Sequence, residues 1–455
     1  MRLSCFKTYD VRGRLGVDLD AAIAHRIGRA VAEALGARRV VLGRDCRASS
    51  EELAGAVAEA LVAAGAEVLD LGLAGTEEMY FATGHLEADA GICVTASHNP
   101  MDYNGLKLVG RGARPLDPAT ELAAVRAAAE AGDFGPDRPG GRCRDIAGEA
   151  RAAYVERVLS FVDVAALAPL TLVVNAGNGA AGPTFDAIAG ALAARGAPLR
   201  FHRIHHDPDG SFPNGIPNPL LPENRPVTAQ AVRAHGADFG IAWDGDFDRC
   251  FFFDHAGGFV DGEYVVGLLA EAFLVRHPGA SIIHDPRVIW NTRDVVAVAG
   301  GRAVQARTGH AFIKQAMRES DAIYGGEMSA HHYFRDFFHC DSGMIPWLLI
   351  AELVSQRGPL ADLVAARRAA FPSSGEINFE VADPAAVIAR LRHEHAPEAC
   401  GIDETDGVSL DMGDWRFNLR ASNTEPVLRL NVETRGRDPA PLVAALRARI
   451  EAPAV

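Results

Sequence analysis

The chain has 455 residues, 48% of them hydrophobic and 23% charged, with a formal net charge of −14. That length predicts three or four domains at the usual size of about 100–150 residues, and the acidic balance argues against nucleic acid as the main partner. No apolar run reaches membrane-spanning length, Met1-Arg-Leu-Ser-Cys-Phe-Lys7 lacks a signal-peptide core, and seven scattered cysteines without a CxxC pair fit a reducing cytoplasm.

Taken in chain order, strands and helices alternate. The first segment carries strand Arg39–Gly43, an amphipathic helix over 51–64, strand Glu67–Leu71 and a short apolar strand, Gly91-Ile-Cys-Val94. Directly after it comes Thr95-Ala-Ser-His-Asn-Pro100, which puts the Ser97 hydroxyl on a loop fixed by a buried strand. A lone serine before Asn-Pro is more often a turn or cap residue than a nucleophile.

The second segment repeats the pattern: Leu170–Val174, a helix near 183–194, Leu199–Ile204, Val227–His235 and strand Phe239–Trp243. It ends in Asp244-Gly-Asp-Phe-Asp-Arg249, again directly after an apolar strand. Three unpaired carboxylates alternating over five residues repel one another unless a hard divalent cation neutralises them. A solvated acidic turn is the bland reading, but Phe239–Trp243 and Cys250–Phe253 bury both ends of the loop. A calcium EF-hand fails, because its Gly and Glu positions hold Arg249 and His255. An oxygen-only site with room for phosphate suits Mg²⁺.

The same segment contains Gly177-Asn-Gly-Ala-Ala-Gly182, a GxGxxG pattern between a strand and a helix, with Asp207 where an acidic ribose ligand could sit. A dehydrogenase is therefore one alternative, although such glycines also serve strand–helix packing. A catalytically silent sugar-phosphate-binding protein is another.

In the third segment Glu263–Arg276, Ser281–His284, Ala311–Arg318 and Asp321–Tyr324 lead to Gly325-Gly-Glu-Met-Ser-Ala-His331. If this stretch is extended, Glu327 and Ser329 project to one face, a carboxylate and hydroxyl suited to vicinal sugar hydroxyls. His331 and His332 are adjacent, so they diverge and make a poor zinc site. The last segment has strands at 407–412, 415–419 and 427–433 and a helix over 439–450. It carries Arg420-Ala-Ser-Asn-Thr-Glu-Pro426, with Arg429 beyond: a guanidinium, hydroxyls and an amide that suit a phosphate, or a polar hairpin turn. Pro/Gly-rich stretches at 135–141 and 371–375 read as boundaries.

Thr95–Pro100, Asp244–Arg249, Gly326–His331 and Arg420–Thr424 stand in the order and spacing of the four loops of the α-D-phosphohexomutase superfamily. The whole chain resembles the bacterial phosphomannomutase/phosphoglucomutase type. Supporting stretches are Tyr9-Asp-Val-Arg-Gly13, Asn104-Gly-Leu-Lys107, Pro213–Pro222 and Thr308-Gly-His310.

The resemblance implies three doubly wound α/β domains (1–147, 148–256, 257–370) and a smaller C-terminal α+β domain (371–455) around a central cleft. It implies a phosphohexomutase acting on mannose and glucose phosphates, feeding GDP-mannose and exopolysaccharide synthesis. Ser97 would carry a phosphate, and Mg²⁺ would be held by that group with Asp244, Asp246 and Asp248. Arg12, His98, Lys107 and Arg249 would surround the reacting phosphate. Lys107, with its pKa lowered beside a cation, or His98 would move protons. Glu327, Ser329, His331, Thr308, Gly309, His310 and Arg287 would meet the sugar; Arg420, Ser422, Asn423, Thr424, Arg429 and Tyr9 would hold the other phosphate. Hexose 1,6-bisphosphate is the implied intermediate and activator, small hexose phosphates the partners, with no nucleic acid or membrane, and the state a monomer or weak dimer. Three positions depart from the family pattern: Phe247 and Ala330 stand where many members have Gly, and Arg287 lies near a position where some relatives use Lys.

Overall fold

The computed structural model describes residues 2–421 and 427–452. The chain forms two compact units, Met1–Phe259 with Tyr333–Gly358, and Val260–His332 with Pro359–Val455. No described helix is long and apolar enough to cross a membrane.

In the first unit one sheet runs Val11–Arg14, Tyr103–Gly110, Ala90–Val94, Arg39–Arg44, Glu67–Leu73, Arg142–Asp145. The last four of these strands are parallel. The expected parallel sheet is thus present at the centre, but Tyr103–Gly110 returns antiparallel beside Ala90–Val94, and Val11–Arg14 is antiparallel to it in turn. The connection explains the difference: a parallel partner needs a crossover of about a dozen residues or more, and Thr95–Asp102 is too short for one. The strand after the Pro/Gly-rich stretch at 135–141 pairs with this same sheet.

The second sheet of the unit repeats the device. Leu170–Asn175, Leu199–Ile204 and Phe239–Trp243 are parallel, whereas Cys250–Asp254 returns antiparallel to Phe239–Trp243. All residues of Ala90–Val94 and Phe239–Trp243 are buried, as strands covered on both faces require. Both candidate loops therefore occupy one kind of place, the tight return from a fully buried central strand to an antiparallel neighbour.

In the second unit Arg302–Gln305, Ser281–His284 and Tyr324–Gly326 are parallel. The last begins later than the sequence predicts, because Asp321 closes helix His310–Ser320 in the left-handed region (φ 49°). A second, antiparallel sheet runs Ser373–Phe379, Leu428–Thr434, Trp415–Ala421, Val408–Asp411, Gly401–Asp403. It packs on Leu391, Leu446 and Ile450 from helices Pro384–His395 and Ala440–Ile450. Its edge strand starts inside the stretch at 371–375 that reads as a boundary.

Candidate active site

Ser97 lies in the return loop Thr95–Asp102 with φ 48°, a backbone region that costs an L-residue about 1–2 kcal/mol. Its N–H donates to Thr95 Oγ1 at 2.8 Å. The buried Arg47 fork donates to three loop carbonyls and to the first of the returning strand: Nη2 to Ser97 O (2.9 Å) and Asn99 O (2.6 Å), Nη1 to Pro100 O (2.9 Å) and Tyr103 O (3.3 Å). Asp45, also buried, accepts from the Arg47 and Ala96 N–H groups and from Ser50 Oγ. The sequence reading missed Arg47 and Asp45, although a strand-end Asp-Cys-Arg followed by Ser-Ser was a visible polar cluster. Arg47→Ala is expected to lower kcat about a hundredfold, the usual cost of misplacing a reacting group by about 1 Å. It should also cost about 3–5 kcal/mol by leaving the buried Asp45 carboxylate without the Arg47 guanidinium, whose Nε lies 3.6 Å from Asp45 Oδ2. Steady-state kinetics beside thermal melts checks both.

The acidic loop meets this serine directly. Ser97 Oγ donates to Asp244 Oδ2 at 2.7 Å and lies 3.0 Å from His98 Nδ1. The contact is possible because residue 245 is glycine: a Cβ there would lie 2.5 Å from Ser97 O. One carboxylate oxygen from each of Asp244, Asp246 and Asp248 lies within 4.8 Å of the others, and all three residues are buried. Thr76 Oγ1, at the start of helix Thr76–His85, donates to Asp246 Oδ2 at 2.6 Å. Asp246 Oδ1 is buried without a hydrogen-bond partner. Three convergent carboxylates, with a buried oxygen of Asp246 left uncompensated, fit a small divalent cation.

The carboxylates are not unpaired, as the sequence suggested. Lys107 Nζ bonds Asp246 at 2.8 Å and also Asp248, and Arg249 Nε and Nη2 bond Asp244 Oδ2 at 2.9 and 2.7 Å. Two cations against three anions leave one net negative charge. Burial, helped by Asp248 and Asp246, pushes the Asp244 carboxyl up to about 6 despite the opposing pull of Arg249.

The expectation of a lowered Lys107 pKa is overturned. Burial does disfavour its ammonium, but Asp246, Asp248 and Asp341 more than offset that and hold it well above the ordinary lysine range. His98 behaves oppositely. Desolvation, then the Arg249 and Arg12 guanidiniums, keep its imidazole well below its usual range, although 40% of the side chain is exposed. Arg12, paired with Asp10 at 3.2 Å, stands on the strand beside Lys107's, opposite Gly105. Tyr9 precedes it in the same unit, half-buried.

The GxGxxG loop serves packing. Ala180 N–H, in the stretch that would cradle a pyrophosphate, donates to Gly245 O at 3.0 Å, and a Cβ on Gly179 would lie 2.8 Å from that oxygen. Asp207 is exposed. The loop is a support for the acidic turn, which removes the basis of the dehydrogenase alternative.

The second unit gathers the predicted sugar residues. Gly326–His331 is a closed turn instead of an extended stretch: Glu327 N–H donates to His331 O and Ala330 N–H to Glu327 O, each at 3.0 Å. Arg287 nevertheless ties the turn together, donating to Ser329 Oγ (3.2 Å) and Glu327 Oε1 (3.4 Å), while Gly309 N–H donates to Glu327 Oε1 (3.1 Å). His331 Nδ1 lies 3.4 Å from Ser329 Oγ, whereas His332 Nδ1 meets Tyr324 OH at 2.6 Å, so the two rings do diverge. Thr308 is buried, and His310 opens helix His310–Ser320 with Nδ1 3.5 Å from Lys314 Nζ. Arg420 and Arg429 face one another across two strands. Ser422, Asn423 and Thr424 lie outside the described residues.

Residues 4–135, 152–258 and 261–371 match the phosphoglucomutase/phosphomannomutase alpha/beta/alpha domains I, II and III, and residues 376–452 match the C-terminal domain of the same set. The chain belongs to the phosphoglucomutase/phosphomannomutase family. It is 62% identical over 440 residues to a phosphomannomutase of Salmonella montevideo, covering 96% of each chain. It is 59% identical over 441 residues to one of Escherichia coli K12, again covering 96% of each. Among solved structures, a phosphoglucomutase/phosphomannomutase family protein from Burkholderia thailandensis superimposes with a TM-score of 0.87 at 33% identity, over 99% of this chain and 97% of that one.

Two of the positions singled out in the sequence now have a geometry. Phe247 and Ala330 both have left-handed backbone, φ 46° and 71°. Glycine adopts that region without strain. Here the buried Phe247 ring fills space above Gly75, where a Cβ would lie 2.2 Å from the ring.

Proposed function

We propose that this mutase interconverts mannose 1-phosphate and mannose 6-phosphate, and the corresponding glucose phosphates, through a phosphoserine at Ser97 and a hexose 1,6-bisphosphate. The hydrogen bond from Ser97 Oγ to Asp244, at the edge of a three-carboxylate cluster flanked by Lys107 and Arg249, is the observation that carries this reading. The names of the curated relatives support mannose as the sugar.

A divalent cation, Mg²⁺ in this reading, held by Asp244, Asp246 and Asp248 with the phosphoserine, supplies positive charge to the phosphoryl group in transit. Arg249 and Lys107 stay charged and add to that field. The attacking sugar hydroxyl forms the new P–O bond and gives up its proton as the bond to Ser97 Oγ breaks, and Ser97 Oγ gains a proton to become a free hydroxyl. When Ser97 is later rephosphorylated by the other phosphate, its hydroxyl proton must leave; Ser97 Oγ donates it to Asp244 Oδ2 at 2.7 Å, while the lone pair of neutral His98 Nδ1, 3.0 Å away, is taken by Arg249 Nη2. Lys107, held protonated, is a poor base. Glu327 and Ser329 hold sugar hydroxyls, and Arg420 and Arg429 hold the non-reacting phosphate.

A coupled assay converting mannose 1-phosphate to mannose 6-phosphate, with and without Mg²⁺, tests the reading; absence of metal-dependent conversion would refute it. In the same assay Arg420→Ala is expected to raise KM for mannose and glucose 1-phosphates alike, by roughly ten- to a hundredfold, the worth of one charge-assisted phosphate contact. A selective effect on one sugar would show instead that Arg420 reads the sugar.

A further inference from the structure

We propose that Glu376 is an internal counter-anion that occupies the Arg420/Arg429 phosphate clamp and sets how tightly it holds substrate. The proposal rests on the reading of Arg420 and Arg429 as phosphate ligands and deepens it. Arg420 and Arg429 are direct cross-strand partners, and like charges so placed repel. On the neighbouring strand Ser373–Phe379, Asn378 pairs with Arg429, which puts Glu376, two residues earlier, on the same face. Its carboxylate is shared: Oε2 lies 2.9 Å from Arg420 Nη2 and Oε1 3.1 Å from Arg429 Nη1. A third guanidinium, Arg287, approaches Oε2 at 3.4 Å but has its own carboxylate in Asp285, at 2.9 Å.

One Nη of each arginine is thus already engaged by a carboxylate. Arg420 is 2% exposed, and its Nε is buried without a hydrogen-bond partner among the described residues. Burial, Arg287 and Arg429 all work against its charge, and Glu376, more than Asp406, supports it. With Glu376 in place, the pair offers an incoming dianion one net positive charge instead of two. A bisphosphate that has to leave this clamp and return by its other phosphate needs an anchor it can release. A carboxylate that stands in for phosphate during the exchange supplies that property and keeps the two arginines from splaying apart.

The test uses the full-length chain with Glu376→Gln, inorganic phosphate as competitive inhibitor and mannose 1-phosphate as substrate. The Ki for phosphate and the KM are expected to fall about tenfold, as loss of a nearby like charge implies, with kcat falling by a similar factor because release slows. Glu376→Asp, which keeps the charge, should restore values close to the parent's. A Glu376→Gln protein whose Ki and KM rise or stay unchanged overturns the proposal. So does one that does not fold while Glu376→Asp does, since the carboxylate would then be structural. Arg420→Ala separates the two levels: if it leaves the Ki for phosphate unaltered, the clamp assignment itself fails, whereas a weakened Ki there with no tightening in Glu376→Gln rejects only the role of Glu376.

Discussion

Replacing Ser97 by Ala is expected to abolish mutase turnover by at least about a thousandfold, because a covalent phosphoryl carrier has no substitute in the loop. Thr95 Oγ1 is engaged in accepting the Ser97 N–H, and Asp244 holds the serine Oγ. Incubation with hexose 1,6-bisphosphate should add one phosphate to the parent protein and none to the variant, as intact mass reads directly. The left-handed backbone supplies an internal control. Alanine at φ 48° keeps the strain, whereas Ser97→Gly relieves it, so the glycine variant should be the more stable of the two by about 1 kcal/mol while being equally inactive. An alanine variant with near-normal turnover would dispose of the phosphoserine mechanism.

Asp246→Asn is expected to lower turnover by about a hundredfold and to raise the Mg²⁺ concentration needed for half-activity at least tenfold, as removal of one charged ligand from a three-carboxylate site implies. The substitution keeps the side chain's size and its contact with Thr76, and it reduces repulsion with Asp244 and Asp248, so the fold should persist. Lys107 keeps Asp248 as its partner. Thermal melts give an activity-independent check: Mg²⁺ should raise the Tm of the parent, since a ligand bound only by the folded state stabilises it, and should barely move that of the variant. Equal Mg²⁺ responses in the two proteins would remove the acidic loop from the metal site.

Much of this was legible from side-chain pattern. Apolar runs of five or so residues marked the buried strands, and polar residues immediately after them marked both loops of the first unit. What pattern could not give was pairing. Nothing in Tyr103–Gly110 or Cys250–Asp254 announces an antiparallel return; that follows from the shortness of the loops before them. The charges were read one sequence at a time, so Lys107 was placed beside a cation when its nearest groups are carboxylates 139 and 141 residues away. Glu376 and Arg47 were missed for the same reason: each matters through partners distant in sequence. Glu376 was hidden further by a Pro/Gly-rich flank that resembled a linker.

The approach of Gly245 to Ser97 has a consequence for the newborn chain. Ser97 and Asp244 are 147 residues apart, an interval that takes roughly 7–30 s to synthesise at about 5–20 residues per second. During that interval the serine loop can be framed by Arg47, but its hydroxyl has neither Asp244 nor the other two carboxylates. On the proposed mechanism, phosphoryl exchange at Ser97 becomes available only when the second α/β layer packs against the first, so a chain still lacking Asp244 would not capture a phosphate that it has no means of returning.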